Sequence, residues 1–203
     1  AIIASERLDR EISVARDVQI GTLPKGMPVI EGYGFGGAFQ PTDQTGGDLY
    51  DFVPMDNGRV FLLMGDATGH GIGPALSATQ VRAMLRVALR LGSSLGDAFV
   101  HINDQLCDDL PDDRFVTGFF GVLDGNTNTV DFHSGGQGPI MHFHAASGEF
   151  DWHPATTFPL GYMPQTNLAP PLTANMQPGD VLGLISDGIY EYENEYGEQF
   201  GQA

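Results

Sequence analysis

"GRVFLLMGDATGHGIGPALS", residues 58–77, joins an apolar run to a loop holding Asp66, His70 and the glycines Gly65, Gly69, Gly71 and Gly73, and then to a second apolar stretch. The run Val60–Met64 follows the turn signal "DNG" (56–58), which predicts a hairpin with "GDLYDFVPM" (47–55) as its first strand. Beyond the loop, Ile72 to Leu91 is rich in Ala, Leu, Val and Met, with Pro74 near its start where proline is tolerated; a long buried helix is predicted. Asp66 therefore stands at the end of a strand, in the turn that leads to a helix.

Working outward, "GFGGAFQP" (34–41) reads as a further short strand, and a second helix is predicted from Ser94, as N-cap, to about Leu110, ended by Pro111. Strand patterns return in "FVTGFFGVLD", "TVDFHS", "PIMHFHA", "GEFDWH" and, after a proline-rich loop, "DVLGLISDG". Strands, two helices, then strands again indicate an α+β sandwich rather than a parallel βαβ sheet. Upstream, "SERLDREISVARDVQI" (5–20) spaces Leu8, Ile12, Ala15 and Gln19 as one face of an amphipathic helix, capped by Ser5 and stopped by Pro24 and Gly26. Residues 1–24 are thus expected to be a helical connector or regulatory segment, and 25–203 one large domain.

The chain has 203 residues, 41% of them hydrophobic, enough for one sizeable core. Its formal charge of −17 repels phosphate backbones and anionic lipid, which counts against nucleic acid or a membrane surface as partner. Cys107 is alone, so an internal disulfide framework is excluded. With no apolar stretch long enough to span a bilayer, a cytoplasmic location is expected.

Three aspartates recur beside strand ends: Asp48 in "TGGDLYD", Asp66 in "LLMGDATGHG" and Asp187 in "LISDGIYE". Each alone could be a turn aspartate bonding local amides. Gathered together they would repel one another unless a cation neutralised them, and carboxylate and carbonyl ligands without Cys favour a hard ion, Mg²⁺ or Mn²⁺. A phosphate-cradling glycine loop is the competing reading, but it lacks the Gly-Lys-Ser/Thr ending, and a nucleotide-binding kinase-like domain is disfavoured on the same ground. His133, His142, His144 and His153 invite a zinc reading, since alternate strand residues share a face; ordinary strand histidines are the expectation. His70 could donate a proton to a leaving group or hold its loop, the latter being preferred. Arg82, Arg86 and Arg90 lie on one face of the long helix, as a solvated stripe or a docking edge for an acidic partner.

Taken in order, "ARDVQIGTLP" (15–24), "GGDLYD" (46–51), "GDATGHG" (65–71), "FVTGFFGVLD" (115–124), "GGQGP" (135–139), "FPLGY" (158–162) and "PGDVLGLISDGIYEYENEYGEQFG" (178–201) resemble the bacterial metal-dependent serine/threonine phosphatases of the SpoIIE and RsbU type, within the phosphatase 2C-like (PPM) superfamily. The resemblance implies two packed antiparallel sheets flanked by helices, an αββα sandwich, with a two-metal Mn²⁺ or Mg²⁺ site at one edge. It implies Asp48 and Asp66 as catalytic metal ligands, with Asp48 bridging both ions, the Ala67 carbonyl as a further ligand, and Asp187 on the second ion. Such ions activate a water that attacks phosphorus in line. The implied substrate is a phosphoserine on a STAS-domain anti-sigma-factor antagonist in a partner-switching pathway, with a sensory or receiver domain upstream in the same polypeptide and a homodimer compatible with the pattern. The family also implies a later helix and strand with an Asp-Asp-x-Thr-like motif that residues up to Ala203 do not contain; on that reading either the domain is C-terminally incomplete or its second ion is weakly held. No Arg adjoins "GGD" to clamp phosphate. The alternative to an enzyme is a non-catalytic phosphatase-fold interaction module in the same kind of pathway.

Overall fold

A computed structural model describes residues 2–41, 44–192, 194–199 and 201, with residues 2–6 and 8 described in backbone only. In chain order the elements are α1 (Ile2–Thr22), β1 (Asp48–Met55), β2 (Arg59–Ala67), α2 (Ile72–Arg90), α3 (Leu95–Asp109), β3 (Val116–Asp124), β4 (Thr129–Gly135), β5 (Ile140–His144), β6 (Glu149–His153), β7 (Leu172–Asn175), β8 (Val181–Leu184) and the single turn α4 (Asp187–Tyr190).

The opening stretch folds as its pattern dictates. Asn57 and Gly58 both take positive φ, which reverses the chain so that β1 and β2 pair antiparallel with Asp48 opposite Asp66. Along β2, successive side chains leave on opposite faces. Phe61 and Leu63 meet Ala78, Val81 and Leu85 of α2, while Val60 and Leu62 face the second sheet. Ser94 caps α3, accepting a hydrogen bond from Asp97 N–H at 3.1 Å, and Phe99 and Ile102 of that helix are buried on the same side. Phe120 receives Phe61 and Phe99 edge-on at 6.0 and 5.3 Å. Truncating a ring so placed costs about 3–5 kcal/mol.

Two antiparallel sheets result, ordered β1-β2-β3-β4-β7 and β6-β5-β8. Between them lies a second apolar layer in which Val60, Phe119 and Phe132 of the first sheet share a cluster with Ile140, Leu182 and Leu184 of the second. This is the α+β sandwich expected, with α2 and α3 packed on the first sheet and α1 against α2. On the outer face of the second sheet, Phe150 and Trp152 are each 50% exposed.

Three local expectations are corrected. "GFGGAFQP" is no strand: its glycines leave too little side chain to hold a ladder, and it runs as a loop in which Phe35 packs edge-on to Phe52 at 5.6 Å. β7 lies within the segment read as a proline-rich loop, pairing with β4 at the sheet edge through Leu172–Asn175. Ser5 does not cap α1, which already starts at Ile2, because Ile2, Ile3 and Ala4 contain no breaker. Otherwise α1 keeps its predicted seam, with Ile12 and Ala15 half-buried and Gln19 buried, while Val14 and Val18 are exposed; the Leu8 side chain lies outside the described residues.

Candidate metal centre

Asp48 opens β1 and Asp66 is the penultimate residue of β2, directly opposite it, so both carboxylates leave the same face of the hairpin. Asp187 comes from the other sheet, as the first residue of α4 just beyond β8. The Ser186 hydroxyl donates to Asp48 Oδ2 at 3.3 Å, joining the two sheets at this point.

The approach depends on Gly47. A Cβ there would collide with the Ala67 carbonyl oxygen and sit 2.7 Å from Asp66 Oδ1, so only glycine lets the "GGD" backbone lie against the end of β2. Ala67 N–H donates to Gly47 O at 3.1 Å and closes that contact. Beneath the aspartates, Gln137 is 3% exposed, accepts from the Thr117 hydroxyl at 2.9 Å and donates to Ile185 O at 3.2 Å. Since Thr117 pairs with Asp66 in the ladder, this one side chain ties the strand behind Asp66 to the turn before Asp187.

The electrostatics are those of an uncompensated acidic cluster. Burial pushes the Asp66 carboxyl up to about 7, with the charges of Asp48 and Asp187 adding to the effect. Asp48 is also raised, by burial first and by the Asp187 charge, against the lowering effect of the Ser186 bond. Asp48 Oδ1 is buried with no hydrogen-bond partner. A buried oxygen without a donor, among like charges, is what a hard divalent cation satisfies, and the donor set of carboxylates and a carbonyl fits Mn²⁺ or Mg²⁺. Among the described residues, the three aspartates do not close to mutual ligand distances within 4.8 Å; the group that does is His142, His144 and Asp180, toward the other end of β8. A cleft of about 1160 Å³ connects the two regions, running between the sheets from Asp48 and Ser186 past Met64 and Leu184 to Asp180.

Other candidates disperse. His70 is exposed in the loop between β2 and α2. His133 is buried beside Phe99 under α3, apart from the histidines of the second sheet. The arginine stripe is neither solvated face nor docking edge for two of its members: Arg86 grips the fully buried Asp51 with Nε–Oδ2 at 2.6 Å and Nη2–Oδ1 at 2.8 Å, and Arg82 Nε lies 2.9 Å from Oδ2. These pairs lock α2 to β1; Arg90 is exposed.

Two contacts are not legible in the sequence, one of Gln19, which the seam places only on a buried face, and one of Arg114. Gln19 of α1 donates through Nε2 to Gly46 O at 2.6 Å and accepts from Gly46 N–H at 3.2 Å, so the N-terminal helix holds the backbone two residues before Asp48. Its signal was a buried-face position filled by an amide where an aliphatic residue would otherwise serve. Arg114 lies with its guanidinium against Gly73 at the start of α2, next to Phe115, whose N–H donates to the Thr68 hydroxyl at 3.2 Å. It is far from "GGD" in sequence, which hid it.

The double antiparallel sandwich is a phosphatase 2C-type fold: the SiaA-PP2C domain of Pseudomonas aeruginosa superposes with TM-score 0.75 over all of this chain and 81% of its own, at 18% identity. The PP2C phosphatase domain of SpoIIE from Bacillus subtilis matches with TM-score 0.61 over 71% of this chain and 42% of its own, at 22% identity. Within that fold the chain belongs to the family described as Stage II sporulation protein E (SpoIIE), whose pattern matches residues 56–203. A curated relative is the phosphoserine phosphatase RsbU of Bacillus subtilis (strain 168), 23% identical over 192 residues, which are 95% of this chain and 57% of RsbU. The chain thus spans little more than half the length of that relative.

Proposed function

We propose that this chain is a metal-dependent protein serine/threonine phosphatase domain, in which Asp48, Asp66, Asp187 and the Ala67 carbonyl hold Mn²⁺ or Mg²⁺, with Asp48 shared between two ions. The observation that carries the reading is the buried, unpartnered Asp48 Oδ1 facing an Asp66 whose carboxyl is pushed up to about 7. Bound divalent ions supply charge neutralisation and a lowered water pKa, which hydrolysis of an inert phosphate monoester needs. The chain's own residues set that chemistry up. Gly47 admits the close approach of the two strand ends, Ser186 orients Asp48, and Gln137 fixes the distance between the sheets. Asp66 must shed its proton to ligate, so ion binding and proton release are linked. Arg114, whose guanidinium lies against Gly73 just beyond the loop that follows Asp66, is the residue we assign to meet an incoming phosphoryl group.

The proposed substrate is a phosphoserine on a STAS-domain regulatory protein in a partner-switching pathway. The name of RsbU, a phosphoserine phosphatase, and a solved structure described as the RsbU and RsbW domains of Rv1364c from Mycobacterium tuberculosis support that class. We assign residues 1–24 to a connector that carries an upstream signal, with 25–203 catalytic, because Gln19 couples α1 to the "GGD" turn. A cytoplasmic site of action accords with this; no helix among the described residues is long and apolar enough to cross a membrane. The test is phosphate release from a phosphoserine STAS domain: dependence on Mn²⁺, abolished by EDTA, supports the proposal, and full activity in EDTA sinks it. Capture of the phosphorylated partner without turnover would instead make the chain an interaction module.

A further inference from the structure

Beside Asp180, which lines the end of the cleft remote from Asp48, three side chains from two segments converge. His142 and His144, two apart on β5, point to the same face with ring centroids 4.1 Å apart. Asp180, in the turn that leads into β8, places Oδ2 at 3.4 Å from His142 Nε2 and 3.7 Å from His144 Nδ1. All three candidate ligand atoms lie within 4.8 Å of one another. His142 is 2% exposed, and its Nε2 is buried without an aligned hydrogen bond although aimed at the cluster.

The surroundings are organised for ligation. Asp180 is held by two backbone donors, Ala145 N–H to Oδ1 and Gln177 N–H to Oδ2, each at 2.9 Å. His144 uses Nε2 on Asp151 Oδ2 at 2.8 Å, an arrangement that puts a proton on Nε2 and leaves Nδ1 as the lone-pair nitrogen facing Asp180. A ligating imidazole backed by a carboxylate is a recurrent support for bound zinc. Tetrahedral ligands about 2.0–2.1 Å from zinc stand roughly 3.3 Å apart, close to the contacts seen.

We propose that His142 Nε2, His144 Nδ1 and Asp180 Oδ2 form a second metal site, selective for a borderline ion such as Zn²⁺ and separate from the hard-ion carboxylate centre. Two imidazoles and one carboxylate leave a fourth position for water, and the ion clips β5 to the entry of β8. Because β8 leads to Asp187, the clip steadies the strand that delivers that residue to the other centre. His153, whose Nε2 is also buried and unpartnered, stacks 5.9 Å from His142 and keeps the pocket's wall imidazole-rich.

The experiment titrates Zn²⁺, against a chromogenic chelator, into the untagged chain and into His144→Ala, Asp180→Asn and Asp48→Asn variants whose folding is checked by circular dichroism. His144 is part-exposed and Asp180→Asn preserves shape, so both variants should fold. Expected is one Zn²⁺ that persists in Asp48→Asn and weakens on the order of 100-fold in His144→Ala and Asp180→Asn. Co²⁺ in the same site should give a visible tetrahedral spectrum that those two variants lose. Undetectable Zn²⁺ binding, or unchanged affinity in His144→Ala and Asp180→Asn, overturns the proposal, as does binding lost in Asp48→Asn. None of these readouts depends on phosphatase activity.

Discussion

Replacing Asp66 with Asn should stabilise the metal-free chain while removing its capacity to hold ions. In the folded chain the Asp66 carboxyl is pushed up to about 7 from an ordinary value of 3.8, chiefly by burial. The folded state therefore binds more protons than the unfolded one between about pH 4 and 7, and the stability this group contributes below pH 4 is lost as pH rises through 7. A shift of about three pH units corresponds to roughly 4 kcal/mol, and solvent access to a half-buried carboxylate leaves about 2 kcal/mol. For a chain of this size that is about 4–8 °C in Tm. Thermal melts followed by circular dichroism in EDTA should show Asp66→Asn above the wild type by that amount at pH 8, with the gap closing toward pH 4. Saturating Mn²⁺ should reverse the order, since only the wild type gains from binding. An Asp66→Asn variant that is less stable than wild type at pH 8 without metal, or a gap independent of pH, would refute the electrostatic account.

Three further outcomes follow from named contacts. Asp51→Ala should cost about 3–5 kcal/mol in chemical denaturation, because it leaves Arg82 and Arg86 partly buried without their counter-charge; a loss under 1 kcal/mol would show the pairs to be incidental. Gln19→Ala should cost about 1–3 kcal/mol and lower kcat through a displaced "GGD" turn, with Gln19→Glu intermediate because it keeps only the acceptor; unaltered kcat in both would separate α1 from the active centre. Arg114→Ala should raise KM for a phosphoserine protein more than it lowers kcat, about tenfold if the guanidinium meets the phosphoryl group, and an unchanged KM would remove it from substrate binding.

The hairpin, both long helices and the double-sheet architecture were legible because each rests on a local rule: period-two alternation around "DNG", proline tolerated at a helix start, and Ser94 as a cap. The aspartates were legible for the same reason, each lying beside a strand end with glycine nearby. Contacts between remote segments were not. That Asp48 pairs with Asp66 is local to a hairpin, but the approach of Asp187, the Gln137 bridge and the pairing of Asp51 with a helix face all require tertiary closure. Periodicity placed the arginines on one face and could not say what that face meets. Likewise the i, i+2 spacing put His142 and His144 side by side, but Asp180, the residue that gives the pair a chemistry, arrives from a turn over thirty residues later. β7 escaped because four residues with prolines just before them carry no pattern of their own and form a strand only by adding to β4.

The central claim is that the facing aspartates exist to hold divalent cations. Mn²⁺ binding followed by electron paramagnetic resonance in wild type, Asp48→Asn, Asp66→Asn and Asp187→Asn tests it most directly. The account predicts saturable binding in the wild type that weakens at least tenfold when Asp48 or Asp66 is neutralised, with affinity falling as pH drops below 7. Equal Mn²⁺ affinity in the wild type and in Asp48→Asn would contradict it.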